Sequence, residues 1–198
     1  TILEQQQTMQ TTQEMLALIS TKCAVGIKQN SKGNKEVWIG GKLHISAVDG
    51  DIPITAFYSG ANVHDSSVAL PLINETSKRV NYFYDLQDAG YDSEIIRNFS
   101  KKLGHRAIID INPKNSKELK EKIELQTQEQ KKFKLLHLPQ NLDIHHYNQR
   151  SMVERVNKYL KEDFGCNTIY YQGATKVASV LAFGILSICI HQSLKLVT

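Results

Sequence analysis

The stretch GGKLHISAVDGDIPITAFYSGA, residues 40–61, decides the fold. Leu43, Ile45 and Ala47 alternate with other residues, and Ile52, Ile54 and Ala56 do so again beyond the turn at Asp49, Gly50 and Asp51. A period of two marks a half-buried strand, and a Gly/Asp turn between two such runs marks a β-hairpin. Upstream, MLALISTKCAV (15–25) is a short apolar run that reads as a buried strand, and KQNSKGNKE (28–36) reads as a turn. Downstream, HDSSVALPLINET (64–76) predicts a helix with Asp65 or Ser66 as its N-cap. VNYFYDLQ (80–87) is β-rich and apolar. DSEIIRNFSKKLG (92–104) predicts an amphipathic helix, capped by Asp92 or Ser93 and stopped by Gly104. HRAIIDINP (105–113) predicts a further strand, ended by Pro113.

The rest reads as helix: a charged one near 115–134, a loop containing Pro139, a helix over 148–163 and a terminal one near 173–196. A three-strand meander followed by α–β–α–β describes an α/β fold, a mixed sheet flanked by helices. That order is the order of a ribonuclease H-like domain. Residues 1–14 form a polar N-terminal segment with little to bury, and 15–198 form the domain.

A chain of 198 residues is long enough for one sizeable core and short for two domains. The net charge of +4 is unevenly spread. Residues 1–100 carry 8 Lys/Arg against 11 Asp/Glu, whereas 101–198 carry 16 against 9. A basic half fits a polyanionic partner. Cys23, Cys166 and Cys189 are widely separated and lack metal-ligand spacing, which predicts reduced thiols. The apolar run VASVLAFGILSICI (177–190) is shorter than the roughly 20 residues a bilayer needs, and predicts a buried C-terminal helix instead. The start of the chain has no signal-peptide pattern.

The chemistry-bearing residues gather in YNQRSMVERVNKYLK, residues 147–161. At 100° per residue, Tyr147, Arg150 and Lys161 fall at about +20°, −40° and −20° from Glu154. Val153, Val156, Leu160 and Phe164 lie on a broad arc far from that stripe, so the helix has a core side and a separate polar row. A solvated face with an ordinary Arg150–Glu154 pair is the alternative. Asp88 stands just past an apolar strand, where α/β sheets display ligand groups. A helix-initiating turn is its other reading. Asp92 reads as structural, and Asp85, within the strand run, as a weaker rival for metal binding.

Four patterns carry a resemblance: G-x-K-L-H at 40–44, A-N-x-H-D at 61–65, D-x-x-Y-D at 88–92, and Y-x2-R-x3-E-x6-K on Tyr147, Arg150, Glu154 and Lys161. With their order, they make residues 15–190 resemble the DDE transposases of bacterial insertion sequences. The resemblance implies a catalytic domain that cleaves and joins transposon-end double-stranded DNA with Mg²⁺ or Mn²⁺ in a two-metal site. It implies two copies pairing two ends, and a cytoplasmic, nucleoid-associated bacterial protein away from membranes. By position, Asp88 and Glu154 match the second and third metal-binding acids, and Tyr147, Arg150 and Lys161 match residues that engage the DNA. His44 and His64 read as structural, Asp65 as a cap, and the Asp49–Asp51 turn as remote from the site.

One position departs from the family. The first acid is expected on the first strand, within LALISTKC, at Ile19. Isoleucine ligates no metal, so the chain's own catalysis is expected to be impaired. Its alternative role is that of a catalytically dead DNA-binding or interaction module.

Overall fold

A computed structural model describes residues 1–29, 33–110, 121, 124–129, 131 and 149–197. The hairpin forms as read. Strand β2 (Lys35–Val48) pairs antiparallel with β3 (Ile52–Gly60), Leu43 opposite Tyr58 and Ile45 opposite Ala56. The turn needs left-handed backbone at Gly50 (φ 84°) and Asp51 (φ 58°), conformations that Gly and Asp tolerate. The first half of β2 pairs antiparallel with β1 (Ala24–Gln29), completing a three-strand meander.

Of the strand expected at 15–25, only Ala24 and Val25 are in a strand, the start of β1. Ile2–Gln6 is α1 and Thr12–Ala17 is α2. The latter is started by a capping box in which the Thr11 side chain accepts from the Glu14 N–H and the Glu14 carboxylate accepts from the Thr11 N–H at 3.0 Å. Thr12, Met15 and Ile19 are buried at helical, not strand, spacing. Nor is the N-terminal segment idle. Gln6 is fully buried and donates to the carbonyls of Met15 (3.1 Å) and Ser67 (2.9 Å).

After β3 comes a 3-10 turn at Asp65–Val68, then α3 (Ala69–Arg79), β4 (Tyr84–Gln87), α4 (Glu94–Lys102) and β5 (Arg106–Ile109). Gly104 ends α4 with φ +84°, as its position predicts. β4 and β5 pair parallel across the α4 crossover, as parallel strands require. The mixed sheet is thus present as two separately bonded sheets, three strands antiparallel and two parallel. Residues 15–17 are helical and 18–21 are not in a strand, and among the described residues no strand links the two sheets.

Helix α5 (Ser151–Glu162) and helix α6 (Ala174–Val197) close the described chain. The charged helix expected at 115–134 is described only at 121, 124–129 and 131, which are helical. Pro113, Pro139 and Tyr147 lie outside the described residues.

The described residues form two cores, and alternation along β2 and β3 supplies one of them. Leu43, Ile45, Ala47, Ala56 and Tyr58 pack with Val156 and Leu160 of α5 and Leu181 and Ile188 of α6. Met15 of α2, Leu70 and Ile73 of α3, Ile96 of α4 and Ile109 of β5 form the other core. The α6 helix differs from the expectation of burial: Leu181, Gly184, Ile188 and Gln192 are buried, while much of its far side is exposed. Its bounds, Ala174–Val197, agree with the helix expected near 173–196, and by length and composition it could cross a membrane.

Candidate functional site

The α5 helix turns its residues as the periodicity predicts. Val156 and Leu160 are buried against the hairpin, and Glu154 and Lys161 are exposed. Arg150 Nη2 lies 3.6 Å from Glu154 Oε1, one helical turn away, and the Glu154 side chain is 67% exposed. A pair so open to water contributes little to stability, which leaves the carboxylate available for other partners.

What fixes this helix is the next residue. Arg155 grips Asp51 in a forked pair, Nε and Nη2 donating over 2.7–2.9 Å, while Nη1 donates to Ser151 Oγ at 3.0 Å. The bond to Asp51 raises the Arg155 pKa further, against the opposing cost of burial. The hairpin turn, expected to be remote, is therefore bonded to the neighbour of Glu154. A fork of two parallel N–H bonds fixes direction as well as distance, so the turn sets how α5 lies on the sheet.

Asp88 follows the last residue of β4, at the strand end where it was expected. It caps the short 3-10 turn Ala89–Tyr91, with Oδ1 accepting from the Gly90 N–H at 2.9 Å. The turn reading of Asp88 is thus real, but it occupies one oxygen of an exposed carboxylate. A Cβ at Gly90 would stand 3.0 Å from Asp88 Oδ1, so the carboxylate would have to shift by a few tenths of an ångström.

Three of the quoted patterns meet around this turn. Strand alternation puts Lys42 and His44 on the face opposite Leu43 and Ile45. Lys42 Nζ reaches Asp65 Oδ1 and the Val63 carbonyl, each at 3.0 Å. The cap of the Asp65–Val68 turn is His64, not Asp65: its ring accepts from the Ser66 N–H at 3.3 Å. Asp65 is drawn to the ammonium group instead. Tyr91 packs its ring against the α3–α4 core, while burial first, then the charges of Asp65 and Asp88, push its phenol well above the usual range. His44 bonds Ser59 through Nε2 at 2.8 Å. Because Ser59 Oγ donates to the Gly60 carbonyl, His44 is the donor of that pair. Burial holds the His44 pKa down, against the pull of Asp65. Both histidines make hydrogen bonds within the fold, His44 to Ser59 and His64 to Ser66.

The rival acids are engaged. Asp85 is buried with His105 Nδ1 3.3 Å from its Oδ2, and the buried Tyr82 phenol bonds to it. Asp92 accepts from Arg97 at 2.9 Å. Ile19 is 7% exposed, beyond the end of α2, its N–H donating to the Leu16 carbonyl at 2.9 Å. Of the site residues expected, Arg150 and Glu154 are brought together; Asp88 belongs to the Lys42–Asp65–Tyr91 group. Among the described residues, no group of three or more His, Cys, Asp or Glu is placed to hold a metal.

A family model described as the transposase DDE domain matches residues 8–190. No curated protein and no solved structure matches the chain.

Proposed function

The chain belongs to the transposase DDE domain family, and on that premise we propose that it acts on transposon-end DNA by metal-dependent phosphodiester cleavage and strand transfer, with its own catalysis impaired. The second half rests on Ile19, which is apolar and buried and stands at the sequence position where the resemblance expects the first acid, although that position lies beyond α2 and not on a strand. The proposal includes a ribonuclease H-like arrangement over 15–198, Asp88 and Glu154 meeting at the sheet rim, two copies pairing two ends, and work in the bacterial cytoplasm on the nucleoid.

The two-metal site that the resemblance implies would draw on Asp88 and Glu154 as the chain's own carboxylate donors. Asp88 and Glu154 supply hard oxygens, and each gives one oxygen to a described partner while the other stays available. Mg²⁺ or Mn²⁺ suits such a pair, taking its remaining ligands from water and phosphate. A second ion needs the carboxylate that Ile19 lacks. When bound, a divalent ion activates the attacking oxygen and stabilises the leaving one. The chain's own groups do the holding: Arg150 and Lys161 bind phosphate oxygens, and Tyr147 stacks on a displaced base or bonds a phosphate.

A second reading, a DNA-binding module that no longer cuts, is favoured by the same Ile19 and by the basic half of the sequence. One experiment separates them: incubation of the chain with a transposon-end duplex and Mn²⁺, beside Glu154→Gln. Weak cleavage abolished by the substitution is the expected result. Salt-dependent binding with no cleavage selects the module. Robust cleavage that survives Glu154→Gln overturns the site.

A further inference from the structure

The first turn of α5 carries Glu154, and the core holds that turn weakly. The buried residues of α5, Val156 and Leu160, both lie beyond Glu154, whereas Met152 and Val153 before it are half-buried. Arg150 stands at the N-cap position, and an arginine carries only donors, so it cannot accept from the first N–H groups of the helix.

Arg155 supplies the anchor. Its Nε donates to Asp51 Oδ2 at 2.8 Å and its Nη2 to Asp51 Oδ1 at 2.7 Å, while Nη1 donates to Ser151 Oγ at 3.0 Å. One guanidinium therefore ties the hairpin turn to the opening residue of α5. Residue 155 is turned about 100° from 154, so the clasp leaves the Glu154 side chain 67% exposed. The Asp51 side chain, by contrast, is 15% exposed beneath the fork.

The backbone at Asp51 points the same way. Among the described residues it is the one non-glycine residue in the left-handed region, at φ 58°. Glycine or asparagine satisfies such a backbone as well as aspartate does. What aspartate adds is a charged acceptor with two oxygens, the shape that matches a guanidinium.

We propose that Asp51 and Arg155 are positioning residues for Glu154. The turn between β2 and β3 holds the start of α5 at the angle from which the Glu154 carboxylate meets a divalent cation. This positioning rests on the reading of Glu154 as a ligand given above, and adds to it the device that aims the carboxylate. Groups that orient metal ligands contribute about 10–100-fold in metal affinity. The fork acts through the backbone of one helical turn and not through a bond to the ligand itself, which places it at the low end, about tenfold. An ordinary surface pair would add a little stability and nothing else.

Two measurements on the full chain separate these roles. Asp51→Asn keeps the size and the left-handed backbone but removes the charge, and Arg155→Lys keeps the charge but loses the fork. In calorimetric titration each should raise the Mn²⁺ dissociation constant about tenfold, and the double variant should be no weaker than either single one. The melting midpoint in EDTA should stay within about 4 °C of wild type, as for a pair open to water. Hydrogen exchange in EDTA needs no metal, and the amides of Glu154 to Val156 should exchange at least about fivefold faster in Asp51→Asn. If that variant does not fold, Arg155→Lys carries both readouts. Unchanged exchange overturns the inference. So does faster exchange beside wild-type Mn²⁺ affinity, since the fork is then structural alone. Mn²⁺ binding that Glu154→Gln leaves unchanged sinks the reading of the site instead, while faster exchange in Asp51→Asn still upholds the hold on α5.

Discussion

Restoring an acid at position 19 tests burial and chemistry together. Ile19→Asp removes an aliphatic side chain that is 7% exposed, and burial of that kind stabilises by about 1.5–3 kcal/mol. It also brings a carboxylate into the same place, which costs roughly 1–3 kcal/mol more even if the group protonates or turns outward. The sum is about 2.5–6 kcal/mol. A chain of this length loses roughly 2–4 °C per kcal/mol, so its melting midpoint in EDTA should fall by about 5–24 °C. A total stability in the middle or upper part of the usual range of roughly 5–15 kcal/mol leaves the variant folded. If position 19 faces the cation held by Asp88 and Glu154, Mn²⁺ at 100 times its dissociation constant should return about 2.7 kcal/mol. Differential scanning calorimetry of both chains, with EDTA and with Mn²⁺, reads out the two parts. A variant that melts within about 2 °C of wild type in EDTA refutes the burial. A Mn²⁺ response no larger than that of wild type refutes the placement of the missing ligand.

Gly90→Ala should leave the fold intact but displace the Asp88 carboxylate, whose Oδ1 would stand 3.0 Å from the new methyl. Calorimetric titration should show weaker Mn²⁺ binding than wild type, and equal affinity counts against Asp88 as a ligand. Gly184→Val should overpack the α5–α6 contact and cost about 1–3 kcal/mol in urea unfolding. Adding Leu160→Ala should then cost less than it does in the wild-type background, because the clash is with that side chain. Buried His44 has a depressed pKa, so as pH falls through its unfolded value the unfolded chain takes up a proton that the folded chain refuses. Stability from this group is full above that pH and is lost below it, by up to about 1.4 kcal/mol per pH unit. His44→Asn should flatten the fall in urea midpoint below neutral pH, and an unchanged slope counts against the burial.

Much of the fold is legible because its periods are clean. The alternation through 40–61 gives the hairpin, and the polar row of α5 separates from Val156 and Leu160 by angle alone. The apolar run at 15–25 misleads for a physical reason: a few adjacent aliphatics carry no period of their own. The correcting signals lay beside it, in the Thr11–Glu14 capping box and in the helical spacing of Thr12, Met15 and Ile19. Side-chain pairing is a different matter. Asp51 and Arg155 are 104 positions apart, and nothing local in either segment announces the fork. Lys42 and Asp65 both stand in quoted patterns, but only the packing of the two short turns makes them partners. The exposed side of α6 is hidden by the same run that makes the helix visible, since apolar residues on every side look buried until their neighbours are known.

The most direct test is anomalous diffraction at the manganese edge from crystals grown with a transposon-end duplex. The expected result is one Mn²⁺ peak touching carboxylate oxygens of both Asp88 and Glu154, with no second ion beside Ile19. Carboxylates that face apart, with no peak within reach of both, would contradict it.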